Sequence, residues 1–300
     1  MFDLRGNVAF VTGASRGVGK GIALGLAESG ATVYISGRTT EPGTLVDGLG
    51  GTLQETAEEA KALGGECIPI RCDHSDDEQV QAAFAQIERE SGKLDLLVNN
   101  VWAGYQYMME QIDGNFVFTW EKPFWEQPTW RWDAMFDAGV RAHYVASQHA
   151  AKLMVPRRRG LIVNISFWAA QTYMANVAYG VAKAASDKMA RDMARELRPY
   201  GVAAVALYPG LVRTEGVMRA AEWFDLSNSE SPQYVGRAVA ALAADPRVLE
   251  RSGSVLVTAR LGEEYGFVDI DGKKIKPAKL EDFTALADVN TQSESPESPT

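Results

Sequence analysis

The sequence predicts an α/β protein: one domain built on a doubly wound parallel sheet of about seven strands with helices on both faces. Three observations predict it. Seven short apolar runs, at 8–12, 32–36, 67–71, 95–99, 161–165, 203–208 and 254–258, alternate with stretches of helical periodicity. Several runs, such as Val8-Ala9-Phe10-Val11, are apolar at every position, as strands covered on both sides are. The first run passes into Thr12-Gly13-Ala14-Ser15-Arg16-Gly17-Val18-Gly19 and then into the helical Ile22-Ala23-Leu24, a strand, a Gly-rich turn and a helix. Three hundred residues, 46% of them hydrophobic, suffice for one large core over 1–289, and the Ser/Glu/Pro/Thr-rich tail 290–300 is expected to be disordered.

Each element adds to this. In the first turn, glycines let the backbone approach a diphosphate, and the helix N-terminus offers N–H groups to the anion. The second run ends Tyr34-Ile35-Ser36-Gly37-Arg38-Thr39, without the carboxylate that would hold both ribose hydroxyls of NAD; the next acid is Glu41. Arg16 and Arg38 instead suit a 2′-phosphate, so NADP(H) is the expected cofactor and NAD(H) the alternative. Residues 41–53 read as an inserted Gly-rich loop, followed by a helix over about 53–63. Cys67 and Cys72, five residues apart, fall on opposite faces of the third strand as unpaired thiols. Asp73 has the position of an N-cap.

Residues 104–131 are longer than a tight connection needs and carry Tyr105, Tyr107, Phe116, Phe118, Trp120, Phe124, Trp125 and Trp130. They leave the carboxyl edge of the sheet, where ligands bind in this architecture, and are expected to form a lid over a large apolar substrate. Trp168 and Tyr173 are expected in the same pocket, and 215–231 as a substrate-side flap. A helix from Trp132 through Val140 to Met154 carries His143, which lacks an Asp or Ser partner at a recognisable spacing and reads as a packing or capping residue.

The chemistry is concentrated between Ser166 and Lys183. Ser166 closes the fifth strand, Tyr179 comes thirteen residues later, and Lys183 follows four after that in a helical pattern. Positions i and i+4 share a helix face, so phenol and ammonium point the same way. An ammonium favours the phenolate. Moving a phenol from about 10 to near 7 nevertheless takes roughly 4 kcal/mol, so a second positive group such as an oxidised nicotinamide is implied. Ser166 is placed to hold a substrate oxygen while Tyr179 moves its proton. A surface helix with a chance Tyr-x-x-x-Lys is the competing reading of the motif alone.

Together, the Gly-rich turn and Ser166, Tyr179 and Lys183 resemble the short-chain dehydrogenase/reductase family, from about Leu4 to Val257. Asp73, Asn99-Asn100, Pro209-Gly210 and Thr214 are further matches. Phe124-Trp125-Glu126, His143-Tyr144, Leu153-Met154-Val155-Pro156 and Tyr265-Gly266 are similar to one animal branch, dehydrogenase/reductase member 1. The fold implied is Rossmann-type. The resemblance implies that Gly13, Ser15, Arg16, Gly17, Val18, Gly19, Arg38, Asp73, Asn99, Tyr179, Lys183, Pro209, Gly210, Val212 and Thr214 hold the cofactor, with Asp73 at the adenine and Thr214 at the carboxamide. It implies hydride transfer between nicotinamide and a carbonyl or secondary alcohol. Tyr179 would give the proton, Lys183 would lower its pKa and bind the ribose, and Ser166 would hold the oxygen. It implies a homodimer or homotetramer paired through the helix after Tyr179.

Two departures stand out. Asn99-Asn100-Val101-Trp102-Ala103-Gly104 is two residues longer than the family's Asn-Asn-Ala-Gly. Gly139 takes the place of a fourth catalytic residue, an asparagine; the family uses that residue's main-chain carbonyl, which glycine also has, to hold a water on the lysine.

A net charge of −9 and a pI of about 5.0 speak against nucleic acid or an anionic membrane as partner. No apolar run nears the roughly 20 residues that span a bilayer. The first residues lack a signal-peptide pattern, so a cytoplasmic protein is expected. No metal-ligand spacing is present. The rival readings are a short-chain reductase of acyl thioesters (3-hydroxyacyl or enoyl) and a non-enzymatic cofactor-binding regulator, which would not need the Ser/Tyr/Lys set.

Overall fold

A computed structural model describes residues 2–41, 49–112 and 115–283. Part of the inserted loop, 42–48, and the whole tail, 290–300, lie outside the described residues. In chain order the elements are β1 (Val8–Thr12), α1 (Gly17–Glu28), β2 (Thr32–Gly37), α2 (Leu53–Ala62), β3 (Glu66–Arg71), α3 (Asp77–Ser91), β4 (Leu96–Asn99), β5 (Met109–Ile112), β6 (Asn115–Phe118), α4 (Thr129–Met135), α5 (Ala142–Met154), β7 (Gly160–Ile165), α6 (Val177–Leu197), β8 (Val202–Tyr208), α7 (Glu215–Arg219), α8 (Pro232–Ala244), β9 (Val255–Val257) and α9 (Thr258–Tyr265).

Seven strands form one parallel sheet in the order β3-β2-β1-β4-β7-β8-β9. Their side chains alternate between two cores, as a period of two requires. Ala9, Val11, Val33, Ile35, Val163 and Val205 meet α1, α2 and α8 on one face. Val8, Phe10, Tyr34, Leu97, Ile162 and Ala204 meet α3, α5 and α6 on the other. Cys67 and Cys72 fall into these opposite cores as free thiols. The predicted Rossmann-type sheet is the observed one. Its order reverses between β1 and β4, and in this architecture ligands bind outside the carboxyl ends of the strands at such a reversal.

Two features differ from expectation. The segment after β4 contains an antiparallel hairpin, β5 with β6. The expected helix from Trp132 begins at Thr129 and is interrupted by a π-helical stretch, Phe136–Arg141, before α5. No helix among the described residues is long and apolar enough to cross a membrane.

Candidate active site

The turn after β1 is built for close approach. Gly13 (φ +69°) and Gly17 (φ +57°) lie in the left-handed region, which glycine adopts without penalty. A Cβ on Gly13 would come 2.8 Å from Val101 Cα, and one on Gly19 2.2 Å from the Gly13 carbonyl oxygen. Asn100 seals this packing: its side-chain amide donates to the carbonyls of Thr12 and Gly13, both at 3.0 Å. Gly17 N–H, at the start of α1, donates to the Glu215 carboxylate at 2.9 Å. A carboxylate therefore sits where helix polarity favours an anion. Glu215 had no sequence signal beyond its place after Thr214, which caps α7.

The other predicted cofactor residues fall around this turn with varied surroundings. Ser15, Arg16 and Val18 are half-buried in it, and Arg16 reaches Thr39 at 3.5 Å. Arg38 is exposed at the end of β2. Burial opposes ionisation of Asp73, but hydrogen bonds from Ser75 and the charge of Arg38 hold its carboxyl below the usual range. Asp76, not Asp73, caps α3. Asn99 is fully buried and spends its amide on Ser147 (2.9 Å) and Asn164 (2.8 Å), tying β4 to α5 and β7.

After β8, the stretch from Pro209 to Thr214 is held by Glu230. The Glu230 carboxylate accepts from Gly210 N–H (2.9 Å) and Thr258 (2.6 Å), and its backbone pairs with Val212. Glu230 is 1% exposed, and burial raises its pKa to about 7.

Ser166, Tyr179 and Lys183 are brought together at the carboxyl end of β7 and the start of α6, all three buried. Asn176 caps α6 by accepting from Tyr179 N–H (3.2 Å) and donates its own amide to the Trp120 carbonyl (2.9 Å), which couples α6 to the segment after β4. The residue before it, Ala175, turns through φ +59°.

The Tyr179 hydroxyl is 2.9 Å from that of Tyr105. Rings of Trp102, Tyr105 and Trp120 surround it, with centroids 5.8, 6.0 and 5.7 Å from the Tyr179 ring. Tyr105 is 52% exposed as a residue, yet its hydroxyl end is turned into this cage, and burial raises its pKa. Burial, reinforced by Tyr105, also lifts Tyr179 well above the ordinary tyrosine range. This differs from the expected lowering. The Lys183 ammonium lies over Trp102, 4.2 Å from its centroid, and 5.7 Å from that of Tyr179. Burial brings Lys183 down to about 8, against the opposing charge of Asp187. Ser166 donates to the Lys183 carbonyl at 3.2 Å. His143 has the packing role expected of it: Nε2–H donates to the Val101 carbonyl at 3.0 Å, and burial, then the charge of Lys183, holds the ring neutral with a pKa of about 3.

The segment after β4 divides its aromatic residues. Tyr105 and Trp120 turn inward, while Phe118, Phe124 and Trp125 are exposed. Arg131, 1% exposed, braces it by donating to the Thr119 carbonyl (2.8 Å) and hydroxyl (2.7 Å) beneath Trp120. Of the two other expected pocket residues, Trp168 packs against Tyr208 and Phe283 in a separate cluster, and Tyr173 is exposed.

These residues fit a nicotinamide dinucleotide. Gly17 N–H at the start of α1 already receives an anion, the glycines let the turn close against Val101 and Thr214, and Gly210 is anchored by Glu230. The short chain dehydrogenase family model matches residues 7–225. Dehydrogenase/reductase SDR family member 1 of Mus musculus is 45% identical over 287 residues, 91% of this chain and 86% of the mouse protein. Its Homo sapiens counterpart is 42% identical over 300 residues, 95% of this chain and 88% of the human one. A short chain dehydrogenase crystal structure from Mycobacterium thermoresistibile superposes with a TM-score of 0.74 at 27% identity, covering 92% of this chain and 95% of that one.

Proposed function

The chain belongs to the short-chain dehydrogenase family and is an NAD(P)-dependent oxidoreductase, and we propose that it interconverts bulky apolar carbonyl compounds and secondary alcohols with NADP(H). One observation carries the substrate class: the Tyr105 hydroxyl, an oxygen borne on a ring, sits 2.9 Å from Tyr179 among aromatic walls. A bulky ketone entering in its place would present the same oxygen to Tyr179 and the same kind of apolar body to Trp102 and Trp120. Arg16 and Arg38, with no acid at the end of β2, support the 2′-phosphate of NADP(H).

The bound nicotinamide would supply or accept the hydride. The residues of the chain would handle the proton and the oxygen. Burial keeps Tyr179 protonated, the form a general acid needs, so it gives its proton to the carbonyl oxygen as the alcohol forms. Lys183 then stabilises the phenolate that remains. Ser166 turns from the Lys183 carbonyl to hold the substrate oxygen. Exposed Val177 and Val181 on α6 support a contact with a second copy of the chain.

NADPH consumption over ketones graded from acetone-sized to multi-ring, beside an acyl-CoA panel, tests this. Bulky ketones should turn over best, and Tyr179→Phe should lower turnover by roughly 10²–10⁴ with cofactor binding retained. Preference for acetone-sized ketones or acyl-CoA would refute the substrate class. Undiminished turnover in Tyr179→Phe would move the chemistry elsewhere.

A further inference from the structure

One of the two extra residues after β4, Trp102, packs its ring against the glycine of the helix opposite, Gly139. A Cβ on Gly139 would stand 2.7 Å from Cε3 and Cζ3 of its ring, and one on Gly104 would stand 2.7 Å from Cζ2. The ring thus occupies the place that any side chain at 139 would need. The Lys183 ammonium sits 4.2 Å from the centroid of the same ring. The loop is pinned in this position: Val101 N–H donates to Thr12 at 3.1 Å, and the Val101 carbonyl accepts from His143.

We propose that Trp102 is a positioning residue for Lys183: its indole face holds the ammonium beside Tyr179, in the space that Gly139 leaves clear. The proposal rests on the reading of Tyr179 and Lys183 as the proton-transfer pair. Two observations favour it over simple filling of space. The Trp102 Nε1–H is buried without a hydrogen-bond partner among the described residues, a cost that phenylalanine would avoid. Indole, however, offers a cation the strongest of the aromatic faces. Lys183 also makes no salt bridge among the described residues, and the carboxylate one turn along, Asp187, accepts from Tyr208. The titratable groups around Lys183 are Tyr179 and Asp187 on α6, His143 on α5, Tyr105 from the lid and Tyr208 on β8.

The test is the ionisation of Lys183, read in the protein alone from the ¹³Cε resonance that disappears in Lys183→Arg. A cation–π contact favours the charged form, so removing it lowers the lysine pKa. Trp102→Leu should lower it by about 0.4–1.5 pH units, and Trp102→Phe by less. Gly139→Ala leaves the indole intact but drives a methyl group into it, and should shift Lys183 in the same direction. The alkaline limb of the pH–rate profile should move with the lysine. Should Trp102→Leu not fold, Trp102→Phe and Gly139→Ala carry the comparison. A Lys183 pKa unmoved by Gly139→Ala, or lowered equally by Leu and Phe, would overturn the proposal. Titrations that shift as expected in a protein without carbonyl turnover would uphold the positioning and remove the functional reading.

Discussion

Glu215 holds the donor that a dinucleotide diphosphate would need, and its removal should tighten cofactor binding. The carboxylate accepts from Gly17 N–H at 2.9 Å, at the N-terminus of the twelve-residue α1. A negative group there gains about 0.3–1 kcal/mol when exposed and up to about 2 when partly buried. Glu215 is half-buried, which puts the contact near 1 kcal/mol on that scale. A phosphate oxygen can take Gly17 N–H only after this contact breaks. Glutamine keeps an acceptor but loses the charge, and a neutral hydrogen bond is roughly half as strong. Glu215→Gln should therefore improve the Kd for NADPH by about 0.4–1 kcal/mol, roughly two- to fivefold. Relief of carboxylate–phosphate repulsion acts in the same direction, and added salt should narrow the difference. Titration of NADPH fluorescence at low and high salt measures it. Binding that is unchanged or weaker in both Glu215→Gln and Glu215→Ala would refute the competition.

Two further outcomes follow from charge placement. Arg38→Asp should weaken NADPH relative to NADH by at least about tenfold, or about 1.4 kcal/mol; equal binding of the two cofactors by the wild type would contradict the role given to Arg16 and Arg38. Burial raises Glu230 from its ordinary 4.5 to about 7, so the folded state binds its proton more tightly than the unfolded state. Its stabilising contribution is complete below about 4.5 and is lost as pH rises through 7. Melting temperatures of the wild type and Glu230→Gln should thus agree most closely near pH 4.5, with the wild type falling behind as pH rises to 8; parallel curves would deny the buried ionisation.

The sheet is legible because several of its strands are apolar on both faces and helical patterns separate them. β1, β2 and β7 to β9 lie within a residue or two of the predicted runs. The β5–β6 hairpin is not in the sequence reading, although the dipeptide Asp-Gly, which hairpins favour, stands between the two strand sequences. Eight aromatic residues in the surrounding segment suit an apolar covering as well as strand pairing, so composition alone does not show the hairpin. The break in the helix before α5 has no sequence signal, since Trp132, Met135, Phe136, Val140 and His143 keep a helical spacing across the π-helical stretch, and the glycine at 139 does not itself disclose the ring packed on it.

The site was legible where its logic is local. Tyr179 and Lys183 share a helix face at a spacing the sequence displays. Spacing does not say where the end of a lysine side chain comes to rest, since four rotatable bonds separate its charge from the backbone. In the fold that charge lies on Trp102, and the Tyr179 hydroxyl faces Tyr105, 74 residues away. The Gly17–Glu215 contact spans 198 residues. Such partners have no periodic signature; only the closing of β1 against β4, and of the Gly210 loop over α1, brings them together. The same closure accounts for the difference at Tyr179. The sequence motif carries the attraction of the ammonium but not the desolvation by three aromatic rings, and burial is the larger of the two. On the proposed reading, a positive charge nearer the phenol than Lys183, such as an oxidised nicotinamide, would favour the phenolate, while reduction would start from the protonated tyrosine.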